Sequence, residues 1–256
     1  MRYLLVLLGV IGLLIAKEPI QKEEGVIDNV VVGGGIYTQS QPYGDAKALV
    51  TPTPVIFFDN SLFYVRWVRF GMYFAGAKKE NYSWGLSLSV QPRPFGYESS
   101  DAKILQGMNE RDTSWEGGVA LAFKADDTFV EFLVFRDLLG KSEGTIARAE
   151  LGGTYEMGDW SFYPSVLAIW HDEKFNNYYY GVKQEEEIAG VRAAYNAKAG
   201  FDYAAQTYVK YAFNPQWHAL FNFRADYLNT QIRNSPIVSD KTMVSGMLSL
   251  MYSFNF

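Results

Sequence analysis

Cysteine is missing from all 256 residues. That removes disulfides, thiolate metal sites and cysteine nucleophiles together, and is compatible with an oxidising compartment. Histidine is nearly missing too, with only His171 and His218. Beyond the N-terminus no run approaches eighteen consecutive apolar residues, so membrane-spanning helices are not expected. A basic excess is also lacking: the net charge is -5 and the pI about 5.2, which leaves no electrostatic footprint for nucleic acid.

Aromatics are plentiful instead, at 16% of residues with 18 Tyr, 18 Phe and 6 Trp. Aromatic girdles at two membrane interfaces would use such an excess, and so would a large aromatic core. At the N-terminus, Arg2 precedes the apolar run Leu4 to Ile15, which ends at Ala16 before Lys17 and Glu18. A charged head before an apolar run too short to span reads as a signal peptide over 1–16. Residues 17–25 form a charged periplasmic lead-in, and residues 26–256 make up one β-domain.

The C-terminal strand organises that domain. Leu248, Leu250, Tyr252, Phe254 and Phe256 share one parity, while Ser249, Met251, Ser253 and Asn255 share the other. A strand turns successive side chains to opposite faces, so one face is apolar and aromatic-tipped and the other small and polar. Ending on Phe256 resembles the C-terminal signal by which barrel-assembly machinery recognises outer-membrane barrels. The alternative is the buried last strand of a soluble sandwich.

Alternation continues upstream through Tyr82–Val90, Trp115–Phe123, Thr128–Val134, Trp160–Trp170, Tyr203–Phe213 and Trp217–Tyr227. Opposite the aromatics stand charges: Arg66, Arg69, Lys124, Glu131, Arg148, Glu150, Lys210, Arg224 and Asp226. A lipid-facing wall around a polar lumen has this pattern. Connections alternate long and short from the C-terminus backwards, as expected when short turns are periplasmic and long loops extracellular. In residues 61–77 the apolar parity flips, which a two-residue turn at Val68-Arg69 or a β-bulge would produce. The expectation is therefore an all-β, transmembrane antiparallel up-and-down β-barrel of twelve strands, with ten as the alternative. Gly33-Gly34-Gly35 lacks the Lys-Ser/Thr and the helix of a phosphate loop, so close strand packing is expected there.

Three separated stretches resemble the MipA/OmpV family of outer-membrane proteins. They are Gly33-Gly34-Gly35 with Tyr37, Tyr43-Gly44, Pro52 and Pro54; then Tyr179-Tyr180-Gly181-Val182; then Asn234-Ser235-Pro236-Ile237-Val238 with Tyr252-Ser253-Phe254. Where the family has Gly-Ser, this chain has Gly44-Asp45. The resemblance implies a bacterial outer-membrane location and a non-enzymatic scaffold role, linking a murein lytic transglycosylase to a penicillin-binding protein. A small-solute channel, an adhesin or an uptake protein is the alternative. The resemblance brings no catalytic residue and no cofactor to carry over.

Site chemistry is sparse. The strand assignment puts His171 and His218 at opposite rims, too far apart to share a catalytic or metal site. The lumen charges read either as mutual salt bridges or as the lining of a selective channel. Tyr178, Tyr179 and Tyr180, followed by Glu185-Glu186-Glu187, are read as solvated loop or as a contact surface for a partner.

Overall fold

The computed structural model describes residues 30–60, 62–93 and 96–254. The signal segment, the lead-in, the first residues of the expected barrel and Phe256 lie outside them. The strands are β1 (Val30–Gln39), β2 (Leu49–Asp59), β3 (Phe63–Arg66), β4 (Arg69–Lys78), β5 (Tyr82–Arg93), β6 (Ser114–Ala125) and β7 (Thr128–Asp137). They continue with β8 (Thr145–Gly153), β9 (Tyr155–Met157), β10 (Trp160–His171), β11 (Gly200–Ala212), β12 (Trp217–Tyr227) and β13 (Thr242–Phe254).

Each strand pairs antiparallel with its neighbours, and β13 pairs with β1, so the sheet closes on itself. β8 and β9 are one stave interrupted at Thr154, since both lie against β10. The result is a closed barrel of twelve staves. The parity flip in residues 61–77 is a hairpin, but its turn is Trp67-Val68 and not Val68-Arg69: Arg66 and Arg69 are cross-strand partners. Trp67 adopts φ +59, a conformation that a two-residue hairpin turn demands and that a side chain resists.

The side chains pointing outward are those of a membrane wall. Leu248 and Leu250 are 64% and 50% exposed, and Phe70, Met72, Leu121, Phe132, Val166 and Phe221 are exposed beside them. So continuous an apolar surface does not persist in water, which disposes of the soluble sandwich. Rings cluster at the short-turn end, where Trp160 packs on Tyr211 at 4.6 Å and Trp217 on Tyr252 at 5.1 Å. They form one interfacial girdle.

The closing seam explains the glycine run. A Cβ on Gly33 would sit 2.2 Å from the Leu250 carbonyl oxygen, and one on Gly34 would meet nothing within 4 Å. Gly33 allows β1 to lie close against β13 where the barrel shuts, as the close-packing reading requires.

Candidate functional site: a lidded, charge-lined lumen

The barrel encloses a cavity of about 2020 Å³. Its lining runs from Asp59, Lys78 and Lys124 at the short-turn end up to Arg93, His171 and Tyr180 beneath the long loops. Outer-membrane barrels carry short turns on the periplasmic side, so the former end is the periplasmic mouth.

The other end is closed. Residues 40–48, 96–113, 172–199 and 228–241 fold over it and bury one apolar cluster that includes Tyr43, Tyr97, Leu105, Met108, Phe175, Tyr179, Tyr180, Val182, Leu228, Ile232 and Ile237. Within it, residues 173–180 form a helix because Asp172 caps it, accepting from the Phe175 N–H. This corrects the solvated-loop reading. Tyr179 and Tyr180 are 3% and 8% exposed, so they pack the lid and offer no surface to an outside partner, while Tyr178 is half-buried.

A buried ion pair staples two of the loops. Arg111 donates to both Glu186 carboxylate oxygens at 3.0 Å and through Nε to the Tyr178 carbonyl at 2.6 Å. Glu186 also accepts from the backbone N–H groups of Asn109 and Lys183. Burial alone would raise the Glu186 pKa, but those two N–H donors and the Arg111 guanidinium outweigh it and hold the group below the ordinary carboxylate range.

Below the lid, the lumen charges form paired networks. Glu131 receives Arg69 through two bonds, 2.6 and 2.8 Å, and is also bonded to Arg148 and, at 3.3 Å, to Arg66. Arg66 turns back to Asp59 at 2.8 Å. Glu150 accepts from Ser165 at 2.7 Å and Gln206 at 2.8 Å and lies 3.6 Å from Arg148. Arg224 pairs with Asp226, and Arg93 with Glu116. Five arginines (66, 69, 93, 148, 224) thus face five acids (Asp59, Glu116, Glu131, Glu150, Asp226), and the set is neutral. Lys124 and Lys210 stand apart at the periplasmic end, with no ion pair among the described residues.

Tyr64 completes this wall. Its hydroxyl bonds to Ser87 at 3.1 Å and to Ser89, and its ring lies where a side chain on Gly71 would be, 2.1 Å from that Cβ position. No sequence pattern marked Tyr64 or Glu116, although both follow the inward parity.

The histidines stay apart. His171 ends β10 beneath the lid, with Nδ1 3.4 Å from Asp202, and His218 lies near the start of β12 at the periplasmic mouth. Among the described residues no hydroxyl is hydrogen-bonded to either, and no group of His, Asp or Glu could hold a metal ion.

Parts of the three stretches of the family resemblance meet in the lid, while the remainder lie in β1, β2 and β13. Tyr43 donates to the Tyr179 carbonyl at 3.2 Å, Ser235 donates to the Tyr180 carbonyl at 2.6 Å, and Tyr43 and Val238 form a β-bridge. The family model for MltA-interacting protein MipA matches residues 32–254, nearly the whole described barrel. The chain belongs to the MipA family.

Among its relatives is the putative outer membrane protein YiaT of Escherichia coli K12, 26% identical over 222 residues, covering 84% of this chain and 88% of the relative. The MltA-interacting protein of the same strain is 23% identical over 227 residues, covering 88% and 89%. Outer membrane protein OmpV of Vibrio cholerae is 26% identical over 142 residues, or 56% and 55%. Solved barrels similar to this one include the NanC porin, with TM-score 0.43 and 10% identity over 88% of this chain and 100% of that one. Another is OmpT, an outer membrane protein of Vibrio cholerae, with TM-score 0.42 and 8% identity over 93% and 100%. This MipA-family member is an outer-membrane β-barrel.

Proposed function

We propose that this MipA-family barrel is a non-enzymatic scaffold of the cell envelope, presenting its periplasmic face to murein enzymes. The observation that carries the reading is the asymmetry of the lumen: an apolar lid closes the extracellular end, and the periplasmic mouth is open. A solute pore needs both ends open, whereas a docking platform needs only a rigid face. The lumen arginines and their acids cancel, which rigidifies the wall and leaves little field along most of it to select an ion. The partner class follows from the relative named MltA-interacting protein: a murein lytic transglycosylase, and through it a penicillin-binding synthase. Outer-membrane lipid covers the apolar wall, and Leu248, Leu250, Tyr252, Phe254 and Phe256 are the signal offered to the assembly machinery.

Photo-crosslinkers placed at Lys79, Asp127 and Asp159 in the periplasmic turns test this in intact envelopes. Crosslinks to murein hydrolases or synthases are expected. Their absence from all three turns, together with steady conductance in planar bilayers, would replace the scaffold by a channel.

A further inference from the structure

The barrel wall is incomplete on one side. β3 and β4 form a truncated hairpin whose tip, Trp67-Val68, stops partway up, so β2 has a strand partner on that side only from Phe57 to Asp59. Above the tip, β2 from Leu49 to Val55 and β5 from Gln91 to Arg93 face each other with no strand between them, and no backbone hydrogen bond joins them among the described residues. Three strand spacings would separate them, roughly 14 Å, along roughly 20 Å of β2.

The sequence builds this opening into both edges. Trp67 N–H donates to the Ile56 carbonyl, so the even residues of β2 turn their backbone groups toward the hairpin side. Pro52 and Pro54 share that parity. Lys79 N–H donates to the Tyr82 carbonyl, so the even residues of β5 turn toward β4, and Pro92 is among them; the one register shift in this pair lies in β4. Three prolines thus withhold a donor on the two edges that border the opening, and proline is tolerated in a sheet where no ladder partner is needed.

What lies inside the opening is apolar. Trp67 packs against a lumen cluster of Val55, Leu220, Met247 and Met251, with Tyr37 and Phe57 beside it. Its ring is 5.3 Å from that of Tyr37, and its indole N–H donates to Thr53 Oγ1 at 2.8 Å, inside the lower corner of the opening. An apolar strip inside a polar lumen has no structural need to face a side opening. The positive φ of Trp67 places a bulky ring there at a conformational cost.

We propose that the opening between β2 and β5 is a lateral portal through which a single-chain amphiphile with an uncharged polar head exchanges between the outer leaflet and the lumen. The alkyl tail lies along Tyr37, Phe57 and Trp67, which cover the buried Met247 cluster and line the cavity, and the head lies among Thr51, Thr53 and Gln91. The lumen arginines are balanced by acids, and the unpaired Lys124 and Lys210 stand at the periplasmic end, away from the opening, so the charge beside the strip favours an uncharged head over a carboxylate or phosphate. The proposal is independent of the scaffold reading, and either can fail without the other.

The test uses the full mature chain in lipid nanodiscs and a diazirine-tailed 1-monoacylglycerol, with crosslink positions mapped by mass spectrometry. Expected are saturable crosslinks to Tyr37, Phe57 and Trp67, competed by 1-monolauroylglycerol but not by glycerol or laurate, alongside non-saturable labelling of Leu248 and Leu250. Absent or non-saturable lumen labelling overturns the portal, and equal competition by laurate overturns the uncharged head. Because the chain lacks cysteine, Thr51→Cys with Gln91→Cys can be bridged by a long bis-maleimide after folding. Bridging should lower lumen labelling at least tenfold against the same unbridged protein, and unchanged labelling would exclude entry by this route.

Discussion

The Ser235 hydroxyl donates to the Tyr180 carbonyl at 2.6 Å across 55 residues of sequence, joining two loops that the barrel brings over the same end. With the Tyr43 hydroxyl on the neighbouring Tyr179 carbonyl, this bond makes the lid one cooperative unit. A lid held by buried polar contacts is sensitive to the loss of any one partner.

Arg111 and Glu186 give that sensitivity a pH signature. The Glu186 pKa is depressed in the folded lid, so its contribution is present above the ordinary glutamate range and disappears as pH falls through the depressed value. Tyrosine near-UV circular dichroism should hold steady down to about pH 4.3 and decline only below it. Glu186→Gln should flatten that dependence, and Arg111→Ala should expose residues 96–113 and 172–199 to protease at neutral pH while the barrel persists. A lid equally protected in all three proteins contradicts the assignment.

Removing Glu131 strands Arg69 in the lumen and takes one of two acid partners from Arg66 and from Arg148. Glu131→Ala is expected to cost about 3–5 kcal/mol, the range for breaking a buried pair. Heat-modifiable mobility on gels reads this as a lower unfolding temperature, with Glu131→Asp falling between the two. An unchanged transition in Glu131→Ala would mean that water already screens the cluster.

The seam glycines differ by one position. Gly33→Ala drives a methyl into the Leu250 carbonyl and should impair closure, whereas Gly34→Ala points outward and should assemble normally. Folded yield in vesicles decides the matter, and equal yields would place the β1–β13 contact elsewhere.

Leu250→Arg puts a charge on the lipid face and should lose about 2–4 kcal/mol if it sits near the midplane. Its neighbour Met251 points into the lumen, so Met251→Gln, a polar residue of similar size, should assemble better. The opposite order in folded yield would reverse the face assignment of β13.

Much of this was written locally. Period-two alternation fixed which residues of β5 to β13 face lipid, because a strand has only two faces and a membrane accepts only one kind of side chain on the outer one. The parity flip after Val65 announced a hairpin, but the turn fell one residue earlier than expected. Nothing local reveals that Arg66 and Arg69 must be partners so that both can reach Glu131. The tyrosine run shows the same limit: residues 178–180 look like any polar, aromatic loop until three other loops cover them.

The sequence by itself determined the outer-membrane barrel, its family and the inward row of charges, since each rests on a periodicity or motif within one segment, and it left twelve staves against ten for the closed sheet to decide. Only the tertiary structure decided that the loops close into a lid, that the arginines and acids cancel, and that Pro52, Pro54 and Pro92 border one opening. Those facts depend on contacts between residues far apart in sequence, and the closing of the sheet, β13 onto β1, is what brings them together.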